Sequence, residues 1–190
     1  MTRGRNPSQN RLVKTPKGET LSQDAVLSLL SASGPAPEHA AELMLYGQFV
    51  GSWHVESTWF GAAGNRTGTG EWHFAWVLGG RGVQDVLFGK GAPRDRYGTT
   101  LRCYDPSLDA WHVAWMCPGH GEFANLVGRR REDRIVQEGR GLEPGRLLRW
   151  SFTEITPHSF VWLGEASVDG GATWSLEQEM KATRTGLAET

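Results

Sequence analysis

From residue 51 onward the chain falls into short segments whose apolar side chains recur at every second position, each segment ending in turn chemistry. Trp53, Val55, Ser57 and Trp59 alternate with His54, Glu56, Thr58 and Phe60. Successive side chains of a strand point to opposite faces of a sheet, so this alternation marks a half-buried strand. The same reading places strands near 52–60, 69–78, 82–89, 97–104, 110–117, 121–128, 133–139, 146–154, 159–168 and 173–184. Gly61-Ala62-Ala63-Gly64-Asn65, Gly79-Gly80, Asp105-Pro106, Pro118-Gly119, Pro144-Gly145, Thr156-Pro157 and Asp169-Gly170-Gly171 separate them, as residues suited to tight turns do. No stretch after residue 50 carries a helical period. A long sequence of strands on short links makes an antiparallel meander, and closing it into a barrel removes two exposed edges. The expected fold class is therefore all-β: an antiparallel up-and-down barrel of about ten strands.

The segment before the strands is different. Arg3, Arg5, Arg11, Lys14 and Lys17 face only Glu19, with almost no apolar residue among them. This reads as a solvated tail, and without interleaved aromatics it does not read as a nucleic-acid arm. Leu21 to Leu30 suits a short helix capped by Ser22, with Val26, Leu29 and Leu30 on one face. Ser33-Gly34-Pro35-Ala36-Pro37 breaks it. A second helix over Glu38 to Phe49 offers Leu43, Met44 and Tyr46 for burial, leads into Gly51 and would close one end of the barrel. The expected division is 1–37, a flexible basic tail and short helix, and 38–186, the barrel. A net charge of −1 selects neither nucleic acid nor an anionic surface. No apolar run approaches the ~20 residues of a membrane span, and no signal-peptide core opens the chain. A cytoplasmic protein with no membrane partner is the expectation.

Gly51-Ser52-Trp53 at the start of the first strand, with Arg184 near the end of the last, resembles the calycin arrangement of lipocalins and fatty-acid-binding proteins. That resemblance implies a Trp at the closed end of the barrel, covered by a basic side chain from the final strand. Gly70-Glu71-Trp72-His73-Phe74, Gln84-Asp85-Val86, Tyr104-Asp105-Pro106, Trp150-Ser151-Phe152-Thr153-Glu154-Ile155 and Asp169-Gly170-Gly171-Ala172-Thr173-Trp174 are similar to segments of a bacterial lipocalin-like family of uncharacterised function. The resemblance spans about residues 45–184 and implies a calycin-like barrel; it brings no catalytic residues with it.

The candidate site is aromatic. Trp72, Phe74 and Trp76 alternate on one strand, Trp111, Val113 and Trp115 on another, Trp150 and Phe152 on a third, and Phe160 and Trp162 on a fourth. Converging, they would line a pocket with flat apolar walls suited to a hydrophobic or aromatic ligand. Side chains alone can also fill a small barrel, so a solid core remains the competing reading. Asp85, Arg102 and Glu165 lie in apolar strands, as do His73 and His112. An inward charge needs a partner, and Arg102 with Asp85 or Glu165 would supply one and orient a ligand's polar end. The expected ligand-binding set is Trp72, Phe74, Trp76, Asp85, Arg102, Trp111, Trp115, Trp150, Trp162 and Glu165.

Other chemistry finds less support. Cys117-Pro118-Gly119-His120 supplies half of a tetrahedral zinc site, with no second cluster to complete it, so no metal or cofactor is expected. His120 and Glu122, at that turn, could guard a barrel mouth. No nucleophile elbow or phosphate loop is present. A hairpin turning at 105–109 would pair Cys103 near Trp111 and Cys117 near Tyr97, too far apart for a disulfide, so both thiols should be free. Three function classes stay open: a small-molecule-binding barrel, an isomerase- or cyclase-type enzyme using the same pocket, and a filled barrel acting as a protein-interaction or homodimerisation module.

Overall fold

The computed structural model describes residues 13–14 and 20–186; most of the expected basic tail lies outside them. A two-residue strand β1 (Val13–Lys14) pairs with β2 (Thr20–Leu21). Helix α1 (Gln23–Leu30) starts where expected, the Ser22 hydroxyl accepting the Ala25 N–H at 3.2 Å. Its apolar face is not buried: Leu29 is 71% exposed and Leu30 54%. The chain after α1 is tied to the barrel by backbone, with Ala32 N–H donating to the Trp76 carbonyl, and the helix itself lies against little.

Helix α2 (Ala40–Gly47) does close a barrel end. It buries Leu43, Leu45 and Tyr46, whereas Met44, expected inside, is 45% exposed. The reason is the close seat of the helix. Gly47 lies so near the Trp76 indole that a Cβ there would sit 2.3 Å from it, which turns Leu43 and Tyr46 inward and leaves Met44 outside.

Ten strands close the barrel: β3 (Gly51–Trp59), β4 (Arg66–Val77), β5 (Gly82–Gly89), β6 (Gly98–Asp105), β7 (Ala110–Cys117), β8 (Glu122–Arg131), β9 (Arg134–Arg140), β10 (Leu147–Thr153), β11 (Ser159–Ser167) and β12 (Ser175–Arg184). Every neighbour is antiparallel and consecutive, and β12 pairs back onto β3 with Arg184 opposite Trp53. The fold is the expected up-and-down all-β barrel. One register differs by a residue: Cys103 pairs with His112, because Asp105 Oδ1 accepts from the Ser107 N–H and O–H and sets the 106–109 loop. Both cysteines are free.

One end is plugged. Trp53 is 1% exposed and its Nε1–H donates to the Phe49 carbonyl at 2.7 Å. The Arg184 guanidinium lies 4.0 Å from the centre of the Trp53 ring and donates to the carbonyls of Gln48, Val50 and Pro157. Gly51 makes this contact feasible twice over. Its φ of +129° is open to glycine and strained for other residues, and a Cβ would stand 2.6 Å from Arg184 Nη1. The arrangement implied by the calycin resemblance is therefore present. Above the plug, Phe49 packs on Phe152 and Phe160 at centroid distances of 4.7 and 4.8 Å. Such pairs add about 0.5–1.5 kcal/mol beyond area burial.

Candidate functional site

The interior is filled at the Trp53 end and open at the other. A cavity of about 510 Å³ opens between the ends of the strands opposite α2. Four indoles line its inner part, Trp72 from β4, Trp115 from β7, Trp150 from β10 and Trp162 from β11, and a fifth, Trp59, stands at the mouth. Trp115 meets Trp150 edge-on with centroids 6.4 Å apart, and Trp150 meets Trp162 at 5.7 Å. Leu87, Leu148 and Met180 complete the apolar wall.

Two glycines keep this space open. A Cβ on Gly98 would lie 2.0 Å from the tip of the Trp115 ring, and one on Gly164 would lie 2.7 Å from the Trp162 ring. Trp115 therefore lies over a place where the neighbouring strand β6 has no side chain, and Trp162 over one where its own strand β11 has none two residues on. With any larger residue there, the rings would be driven into the cavity.

Arg102 is the only cation deep in the barrel among the described residues. It is 2% exposed, its Nη1–H donates to Asp85 Oδ2 at 2.5 Å, and Asp85 Oδ1 accepts the Thr100 N–H at 2.8 Å. The guanidinium also lies over the rings of Tyr46, Phe74 and Phe152, at 5.2, 5.5 and 5.7 Å. Two donors on cavity-lining side chains have no hydrogen-bond partner: Arg102 Nε–H and Trp72 Nε1–H. Deeper still, the Tyr46 hydroxyl and both amide atoms of Gln137 are buried and unpartnered. Burial pushes the Tyr46 phenol well above its ordinary pKa, while the nearby charge of Arg102 pulls it partly back.

The mouth is polar and apolar by turns. Arg146 donates through Nη2 to both carboxylate oxygens of Glu177, at 2.6 and 2.5 Å, bridging the loop before β10 and strand β12. Glu122 and Glu143 stand on the same rim. Leu142, Phe123 and Trp59 also line the mouth while exposed to solvent.

The residues expected at the site separate into three groups. Trp72, Trp115, Trp150, Trp162 and Arg102 line the cavity. Phe74, Trp76, Trp111 and Asp85 point inward but belong to the packed half or stand behind Arg102. Glu165 does not join them: Trp162 and Gly164 line the cavity, so the alternation of β11 puts Glu165 on the outer face, opposite Arg149. The pair for Arg102 is Asp85. His112 bonds Asp105 at the plugged end of β7, far from Cys117 at its other end. Arg146 and Glu177 escaped the sequence reading, since nothing links residues so far apart along the chain. Leu148 and Met180 are also absent from the expected set, although their phase with Trp150 and Ala182 points them inward.

The chain matches no family model and no curated protein. Among solved structures it is similar to the S-type phycobiliprotein lyase CPES from Guillardia theta, with a TM-score of 0.54 at 9% identity over 76% of this chain and 93% of that one. Weaker likenesses are to EF1p2_mFAP2b bound to DFHBI (TM-score 0.36, 16% identity, 76% and 99% covered) and to a redesigned beta barrel, b11L5F_LGL (TM-score 0.34, 12% identity, 73% and 93% covered). The likeness to the lyase is one of fold.

Proposed function

We propose that the barrel binds a small hydrophobic, aromatic molecule in its open-end cavity. The observation that carries this reading is the ring of four indoles around about 510 Å³ of space, with the other end of the barrel plugged. Quadrupolar ring faces suit a planar partner, and a one-ended cup holds a ligand inserted from the mouth. The plugged-end arrangement shared with lipocalin-like proteins supports it, and so does a fold shared with a phycobiliprotein lyase. Burying roughly 200 Å² of ligand at about 25 cal/mol/Å² provides about 5 kcal/mol before the cost of association. An enzyme reading that uses a deep acid or base is less supported, because the cavity's other carboxylates, Glu122, Glu143 and Glu177, stand at the rim. The inward carboxylate, Asp85, spends both oxygens on Arg102 and the Thr100 N–H.

The test is a titration of a tricyclic aromatic probe and a long-chain fatty-acid probe into the wild type, Trp115→Leu and Trp162→Leu. The aromatic probe should bind the wild type and lose about tenfold in each variant. A wild type that takes up neither probe would refute the reading.

A further inference from the structure

We infer that the outer face of strands β4 to β8 is a docking surface for a second copy of this chain, the two copies meeting face to face about a two-fold axis.

The cross-strand register lays one row of outward side chains across five strands: His73, Val86, Thr99, Met116 and Phe123. Val86, Met116 and Phe123 are 37%, 36% and 46% exposed. Two further rows continue the face toward the plugged end, one from Ala75 to Asn125 through Leu101, the other from Val77 to Val127 through Cys103. Three rows across five strands make fifteen positions, and none is Asp, Glu, Lys or Arg. With 22% of the chain charged, about three of them would be expected to carry a charge.

The other half of the barrel is built differently. Its outer positions carry Glu56 on β3, Glu138 and Arg140 on β9, Arg149 on β10, Glu165 on β11 and Lys181 on β12. Arg149 meets Glu138 at 3.0 Å, and Lys181 meets Glu179 at 3.6 Å. Strand alternation demands only polar residues outside, and it does not divide them into a charged half and an uncharged one. Depletion of charge with retention of Met and aromatic side chains marks the middle of a protein interface, and a charged border marks its rim. Glu71, beside Phe88, and Arg140, beside Asn125, supply that border.

Charge and area choose the occupant. A partner with a charged surface would lose water from its charges against a face that returns none. The matching surface is another uncharged sheet face, and a second copy brings one with no like charges to repel it. Each outward position covers about 4.8 Å between strands and about 6.8 Å along one, so the fifteen make about 500 Å² of sheet. Two copies would bury up to about 1,000 Å², the lower limit of a specific interface, so the pair should be micromolar rather than nanomolar. A face that meets its own copy about a two-fold axis closes at two.

Sedimentation equilibrium of the full chain, from about 1 to about 300 µM, tests this. The wild-type mass should rise from one chain toward two and stop there. Met116→Lys and Val86→Lys each put a charge in the middle of the face at an exposed position. Each should weaken association more than about tenfold, with the thermal midpoint of the dilute protein little changed; either alone decides the matter if the other does not fold. Thr183→Lys adds the same charge to the outer face of β12 and should associate as the wild type does. A wild type that stays a single chain at the highest concentration overturns the inference, and so does a mass that climbs past two chains. Association that neither face variant weakens, or that Thr183→Lys disrupts as strongly, overturns it as well.

Discussion

Gly98 offers a direct test of how the cavity is kept open. Alanine there places a Cβ 2.0 Å from the Trp115 ring tip, and ordinary contact begins at 3.4 Å, so the ring must retreat by at least the difference, 1.4 Å. The backbone of Gly98 does not have a positive φ, so alanine strains only this contact. The ring can move only inward, toward the cavity it already lines. Because that space is open, the cost to folding should sit near the low end of the ~1–3 kcal/mol typical of overpacking. The cost to binding should be larger. An indole that denies the ligand roughly 60 Å² of contact removes about 1.5 kcal/mol, or about tenfold in affinity. The assay is dialysis binding of the tricyclic aromatic probe alongside thermal unfolding, for Gly98→Ala, Trp115→Leu and the two combined. In the Trp115→Leu background the added methyl meets no ring, so Gly98→Ala should then change affinity by less than about twofold. If Gly98→Ala weakens binding equally in both backgrounds, or not at all, the glycine does not keep the cavity open by seating Trp115.

Trp53→Ala should cost about 3–5 kcal/mol in urea unfolding, since the ring is buried and hydrogen-bonded. Arg184→Met should cost less, because the guanidinium is partly solvated; a cost equal to that of Trp53→Ala would show that Arg184, not the indole, is the plug. Tyr46→Phe should leave stability unchanged or raise it by up to about 1 kcal/mol, because the hydroxyl removed is buried without a partner; a loss of more than about 1 kcal/mol would reveal a partner for it. Hydrogen bonds from the Ser107 side chain and from His112 hold the Asp105 carboxyl down from 3.8 to about 2 in the folded protein. Its folded value lies below its unfolded value, so the stability it contributes is present above about pH 4 and is lost as pH falls to about 2. Urea midpoints measured across that window should fall less steeply for Asp105→Asn than for the wild type, and identical slopes would exclude the linkage.

The period-two pattern and the spacing of Gly, Pro, Asn and Asp determined the number of strands, their order and their approximate ends. These signals are local: a strand's two faces and a turn's backbone demands are both written in neighbouring residues. Closure followed from the same pattern, because an unclosed meander would leave two edges unpaired. Trp53 and Arg184 were legible as a plug through their resemblance to calycins.

Tertiary structure decided which half of the barrel would be solid. Trp72, Phe74 and Trp76 share one face of one strand, yet Trp72 lines the cavity while Trp76 packs against α2 at Gly47. Depth along the barrel separates them, and depth depends on where the helix and Phe49 insert. Asp85 and Glu165 looked alike in sequence, each a carboxylate in an apolar strand. The phase of β11, read through Trp162 and Gly164, put Glu165 outside, and the cross-strand position of Thr100 and Arg102 gave Asp85 its partners. The Arg146–Glu177 bridge joins residues 31 apart in the chain, and the space over Gly98 depends on how Trp115 crosses the β6–β7 hairpin. Neither contact can be read from the local pattern, because each depends on the exact register and side-chain placement of facing strands.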